Sequence, residues 1–233
     1  MTRLLVLLLP VIVAVVMWKY SAWSGARSLD RNSTRLRDPA LLALVDRLAA
    51  AMELDHIPVH IHETPVVNGL AAPDGRVFLT RGFLRRYEAG EVTGEELISV
   101  VAHELGHVAL GHSKRRMIDF SGQNLIRMLL TTVLGRLIPV IGPLIANMAT
   151  KALAARLSQQ DEYEADEFAT ALLIKAGFSA DPQISLFEKL DALTQQGPRM
   201  TPAWLLTHPE THRRIEVIRT NVAKWTGPRL SKP

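Results

Sequence analysis

No cysteine occurs in the 233 residues. Its absence excludes a disulfide framework, a thiolate metal ligand, a thiol nucleophile and a lipid-modified cysteine. It leaves the redox compartment open, because a cysteine-free chain tolerates either. Aromatic residues are scarce too, at 6%. The 27 Lys and Arg outnumber the 23 Asp and Glu for a net charge of +4. These bases are scattered and not interleaved with aromatics, so a base-stacking platform is missing and no nucleic acid is expected as partner. Long apolar runs are confined to the first 18 residues and to 125–149. A chain of this length builds one domain with a full core, and two large ones would not fit. No internal repeat or low-complexity tract is visible.

The first run, Leu4 to Trp18, is fifteen residues long, against roughly 20 for a membrane-spanning helix. Trp18, Tyr20 and Trp23 extend it as an interfacial aromatic belt would. We therefore expect residues 1–26 to be an uncleaved single-pass signal anchor, and residues 27–38, which are charged and polar, to be a linker. Lys19, Arg27, Arg31, Arg35 and Arg37 follow the run. The positive-inside rule then puts the following domain in the cytoplasm, whereas a short first segment with few charges also fits an exported domain. Both orientations stay open.

The domain proper is expected over 39–233. Asp38-Pro39 reads as a cap and first-turn proline for a helix with Leu41, Leu42, Leu44, Val45, Leu48 and Ala49 at helical spacing. Ile57 to His62 alternates as a strand does, and Val66–Ala71 and Arg76–Thr80 are two further strand candidates around a Pro73-Asp74-Gly75 turn. Gly94-Glu95-Glu96 opens a helix to about Gly111, and helices are expected over about 158–176, 182–193 and after Pro209. The fold class is α+β: mainly helical, with a small sheet before the helix that carries the chemistry. A sheet in that position can hold an extended peptide along its edge.

That chemistry lies in His103-Glu104-Leu105-Gly106-His107. Residues four apart share a helix face, so both histidines can direct ring nitrogens at one zinc ion. Glu104 lies about 100° round the helix, where it can take a proton from a zinc-activated water without ligating the metal. A third ligand is needed. A closely following histidine fails, because position 110 is Leu and His112 comes five residues after His107 rather than six. A later helix offers Glu162 and Asp166, four apart on one face. Glu162 can ligate while Asp166 orients a ligating histidine. Asp161, Glu164 and Glu167 are expected in solvent. His112 is expected at the last helical carbonyls, His60 and His62 on a solvated strand face, and His56 and His212 carry no signal.

With these residues in place, the chain from about Leu42 to Ile218 resembles the HtpX-like family of membrane-associated zinc metallopeptidases, relatives of the CAAX prenyl proteases. The carrying segments are Glu95-Glu96-Leu97-Ile98-Ser99-Val100-Val101-Ala102-His103-Glu104-Leu105-Gly106-His107 and Glu162-Tyr163-Glu164-Ala165-Asp166. The resemblance implies a zincin-like (gluzincin) fold holding one zinc ion, with His103, His107 and Glu162 as ligands, Glu104 as base and Asp166 behind the ligands. Asn68-Gly69-Leu70-Ala71 is similar to the family's Asn-Ala-Phe-Ala edge strand, departing at Gly69 and Leu70; by that likeness Asn68 and Ala71 would pair with substrate. Thr207-His208-Pro209, with Arg214-Ile215 after it, is similar to the family's terminal His-Pro segment, which implies that His208 donates to the oxyanion. The expected activity is endoproteolysis of membrane or misfolded proteins by a membrane-anchored enzyme, by analogy in a bacterial inner membrane.

Two other classes compete. A non-catalytic membrane adaptor or chaperone could retain a structural metal, but it would have no use for a general base at Glu104. A prenyl-protein protease would need many long spans. The second apolar stretch does not supply them: Arg127 and Arg136 interrupt it, and Pro139, Gly142 and Pro143 break it midway. Each half, about 123–138 and 143–157, is too short to cross a bilayer. It can be a hairpin in the membrane surface, a lid or core, and we expect a helical hairpin near the cleft mouth.

Overall fold

Asp38 and Pro39 start the first helix as their chemistry dictates. The Asp38 carboxylate accepts the N–H of Leu41 at 2.9 Å, and helix α1 runs over Pro39–Ala51. The structure, a computed structural model, describes residues 27, 29–72, 74–138, 141–194, 202–208 and 211–226. The expected anchor, 1–26, and the Pro73 corner of the turn lie outside these. No helix among the described residues is long and apolar enough to cross a membrane.

Four short strands form one mixed sheet. They are β1 (Ser33–Arg35), β2 (Val59–His62), β3 (Gly69–Ala71) and β4 (Val77–Thr80), in the order β1-β2-β4-β3. β2 and β4 run parallel, and β1 and β3 are antiparallel edges. Ser33–Arg35, read from sequence as linker, pairs with His60–His62, which shows that polar residues suffice for a strand where a neighbour supplies the ladder. β4 is buried on both faces, as a central strand should be. His60 and His62 are half-buried rather than solvated: His60 stacks on Phe78 and His62 Nδ1 lies 3.1 Å from Ser33 Oγ. The cover comes from both neighbours of β2, Phe78 on β4 for His60 and Ser33 on β1 for His62.

Helix α2 (Arg81–Glu88) follows, and then α3 (Gly94–Ala109), which is buried without interruption from Glu96 to Gly106. α3 lies between the sheet on one side and α1, α5 (Gly142–Lys175) and α6 (Asp181–Thr194) on the others. A helix enclosed on all sides must be apolar all round, and this one breaks the rule at Glu96, Ser99, His103 and Glu104. Glu96 is accounted for by capping. Thr93 Oγ1 accepts the Glu96 N–H, and the Glu96 carboxylate accepts the Thr93 N–H at 2.7 Å. The same carboxylate receives Ser185 Oγ at 2.6 Å and Lys189 Nζ at 2.8 Å, tying α3 to α6.

Between α3 and α5 lies α4 (His112–Leu137), and α4 and α5 pack side by side as a hairpin. Both helices reach beyond the apolar halves at about 123–138 and 143–157. α4 starts three residues after α3 ends, and α5 continues without a break into the segment carrying Glu162 and Asp166. The described residues end with α7 (Ala203–Thr207) and α8 (Thr211–Thr226), the latter packed on α5 and α6.

Burial alone would raise the Glu96 carboxyl, but Lys189, Ser185 and the Thr93 N–H outweigh it and hold it below its ordinary 4.5. Its stabilisation is therefore present above about pH 4.5 and disappears as pH falls through the lower folded value. Glu96→Ala is expected to cost about 1–3 kcal/mol at neutral pH, read as a lower urea midpoint with unchanged slope. The deficit should narrow in acid; a deficit independent of pH would contradict the assignment.

Candidate metal centre

Glycine makes the centre possible before any ligand is considered. A Cβ on Gly106 would lie 3.0 Å from the Ala165 carbonyl oxygen and 3.1 Å from its Cα. α3 and α5 therefore approach at backbone distance here, which carries Glu162 and Asp166 up to the His103–His107 face. On the opposite side a Cβ on Gly69 would meet Val100 Cγ1 at 2.5 Å. The departure of position 69 from the resembled strand motif thus has a local cause: β3 passes too close to α3 for a side chain.

Four side chains, His103, His107, Glu162 and His208, bring one ligand atom each to within 4.8 Å of the others. His103 Nε2 lies 3.1 Å from His107 Nε2, 3.4 Å from Glu162 Oε2 and 3.3 Å from His208 Nδ1. His107 Nε2 lies 3.6 Å from Glu162 Oε1. Ligands about 2.0–2.1 Å from a tetrahedral ion are separated by about 3.3 Å, so the donors already stand near the corners of such a site. Glu104 Oε1 is buried without a hydrogen-bond partner, 3.6 Å from His208 Nε2. A buried orphan acceptor beside converging donors is what an absent polar ligand leaves behind. The residues fit a metal ion.

The supporting layer fixes these rings. His103 Nδ1 lies 3.0 Å from Asp166 Oδ1. Asp166 in turn receives Arg214 through Nε at 2.6 Å and Nη2 at 2.8 Å, a bidentate fork, and Gln183 Nε2 at 3.3 Å. Arg214 is 1% exposed, and its third nitrogen donates to the His208 carbonyl at 3.0 Å, which holds the α7 end against the site. Trp204 lies against the rings of His103 and His208.

Electrostatics agree with a cation centre. Burial would lower His103, but hydrogen bonds to Asp166 and Glu162 overcome it and raise the ring to about 9. Burial, reinforced by the positive His103, depresses His107 to about 2. Against its own burial, Glu162 is held well below the carboxylate range by His103 and His208, and Asp166 is lowered by Arg214. The carboxylates thus hold a positive charge at the centre, the place a divalent ion takes over.

The profile of peptidase family M48 matches residues 35–222. The chain belongs to peptidase family M48. Among relatives of this M48 chain, the Escherichia coli metalloprotease LoiP is 30% identical over 67% of it and 59% of LoiP. The metalloprotease YcaL of the same organism is 31% identical over 70% of it and 61% of YcaL. The Escherichia coli beta-barrel assembly-enhancing protease is 29% identical over 81% of it and 40% of that protein. The chain thus spans about 60% or less of these relatives' lengths. Its fold is the zincin-like metallopeptidase fold of the family.

The geometry brings together every residue predicted for the centre: His103, His107, Glu162, Asp166, Glu104 and His208. Asn68 and Ala71 stand apart from it on the sheet edge. The Asn68 carbonyl receives the Thr80 N–H, and its side chain accepts from the Gly69 N–H at 3.0 Å.

Two sequence expectations are corrected. His112 does not cap carbonyls; it is buried, with Nδ1 2.7 Å from His107 Nδ1 and Nε2 3.3 Å from Glu164 Oε2. The turn at Gly111, φ 67°, folds α4 back so that its first residue meets His107. With His107 Nε2 facing the centre, its Nδ1–H donates to His112, whose Nε2–H donates to Glu164. Asp161 and Glu164 are not free in solvent. Asp161 is 2% exposed, and both receive Arg115, at 3.2 and 2.7 Å. Arg214 carried a legible signal: Thr211, Arg214, Ile215 and Ile218 form the buried stripe of α8, and a base in such a stripe demands a buried acid.

Asp166→Asn and His112→Phe are each expected to weaken metal binding about 10–100-fold in chelator competition. Unchanged affinity in either would remove that residue from the support of the site.

Proposed function

We propose that the protein is a zinc endopeptidase, and the observation carrying this reading is the buried, unpartnered Glu104 Oε1 beside three converging ligands. A structural metal site needs no such group. His103, His107 and Glu162 would hold the ion; two imidazoles and a carboxylate form a zinc-type donor set that leaves a position for water. Zinc, when bound, supplies Lewis acidity and lowers the pKa of its water to about 7.

Glu104 takes the proton of the attacking water and returns it to the leaving amine. Asp166 fixes the His103 ring and Arg214 keeps Asp166 ionised, so the ring presents Nε2 to the centre. His112 does the same for His107. His208 Nδ1 is 2.6 Å from Glu162 Oε2, and its Nε2 is 3.6 Å from Glu104 Oε1. Its ring lies beside Glu104, from where it can donate to the oxyanion of the tetrahedral intermediate. The open edge of β3 borders α3 at Glu104, and the alternating ladder leaves the main chain of Ala71 free to pair with an extended peptide.

The working place we propose is a membrane surface, through the apolar residues 4–18, with membrane or misfolded proteins as substrates. The name of the beta-barrel assembly-enhancing relative, a protease that acts in the assembly of other proteins, favours protein substrates.

Glu104→Gln is expected to lower casein cleavage about 10²–10⁴-fold while zinc content stays at one ion per chain. Equal activity at equal zinc would refute the mechanism.

A further inference from the structure

Exposed apolar side chains are distributed unevenly. Of the sixteen large ones among the described residues, ten lie between 126 and 153, on the α4–α5 hairpin. Scattered singly they would need no explanation, but gathered on one element they mark a contact surface. They also follow helical order. Ile141, the cap of α5, and Leu144, Ile145 and Met148 on α5 stand at i, i+3, i+4 and i+7, and Ile126, Leu129 and Val133 on α4 at i, i+3 and i+7. Met148 and Met128 are 64% and 60% exposed. Each arm thus leaves an apolar stripe uncovered after packing against the other.

The charge on the outer part of this hairpin, away from the metal centre, is of one sign. Residues 120–160 contain Arg127, Arg136, Lys151 and Arg156 and no Asp or Glu. A groove of about 590 Å³ places Arg127, Thr131, Thr132 and Asn147 beside Met128, polar donors next to an apolar side chain. A second copy of this basic chain would bring like charges together on contact. An anionic lipid surface satisfies both features: the stripes enter the acyl boundary and the long basic side chains reach back to phosphates. The arm from 126 to 137 is about 18 Å long at 1.5 Å per residue, short of the ~30 Å hydrocarbon core. Arg136 near the tip opposes deep entry as well.

We propose that the α4–α5 hairpin lies in the surface of an anionic bilayer as a second membrane contact, distinct from the N-terminal run. It does not depend on catalysis, so Glu104→Gln should retain it.

The absence of native cysteine permits a local readout on the full, zinc-loaded chain. Met128→Cys and Leu144→Cys, each labelled with an environment-sensitive fluorophore, are compared with a label at exposed Thr220 (Thr220→Cys). Because the N-terminal run can bring the chain to any vesicle, the label is read rather than total binding. On vesicles of equal phosphatidylglycerol and phosphatidylcholine, the labels at 128 and 144 should shift to the blue and be quenched by doxyl lipids, with Thr220 unaffected. Combining Arg127→Glu, Arg136→Glu and Lys151→Glu should raise the lipid concentration needed at least about tenfold, and pure phosphatidylcholine should act like that variant. Labels that stay in water on vesicles carrying the chain would overturn the proposal. So would a blue shift without lipid, since a protein surface, a second copy or this chain's own apolar run, would then be the occupant.

Discussion

Asp166 is enclosed between a guanidinium and an imidazole, and each of the three depends on the other two. A buried carboxylate alone would take up a proton, and a buried guanidinium alone would carry an uncompensated charge. The bidentate fork from Arg214 resolves both and leaves one Asp166 oxygen facing His103 Nδ1. That constraint sets the tautomer of His103, the direction of its Nε2, and through the Arg214 contact to the His208 carbonyl the position of α7. Four elements, α3, α5, α6 and α8, thus meet at a single acid. Removing it would disturb packing and ligand geometry together.

The centre was more legible in the sequence than the layer behind it. His103 and His107 are readable because a four-residue spacing on a helix leaves little freedom, and Glu162 with Asp166 for the same reason. The helix ends at Asp38-Pro39 and Thr93–Glu96 follow from capping chemistry that acts within four residues. His112 was misplaced because its role depends on the direction of the chain after Gly111, which spacing does not encode. Asp161 was assigned to solvent because its partner, Arg115, lies 46 residues earlier. β1 escaped notice because an edge strand of polar residues has no apolar alternation to display. The longer arms of the hairpin were hidden because a helix continues through polar residues as readily as apolar ones.

The molecule divides its apolar residues between two tasks. Around α3 they are buried to a few per cent or less, and the polar groups among them are nearly all paired. On the hairpin the same residue types stand open. One arm of the hairpin, α5, itself carries Glu162, and the other, α4, follows directly on the helix of His107, so whatever holds the arms also bears on the separation of these two ligands.

Order of synthesis gives the Asp166–Arg214 pair another meaning. His103 leaves the ribosome 111 residues before Arg214, an interval of about 6–22 s at ordinary elongation rates. During that time the histidine helix exists without the guanidinium that keeps its supporting acid charged. The nascent chain therefore lacks the full support of its histidine ligand until α8 has emerged and docked.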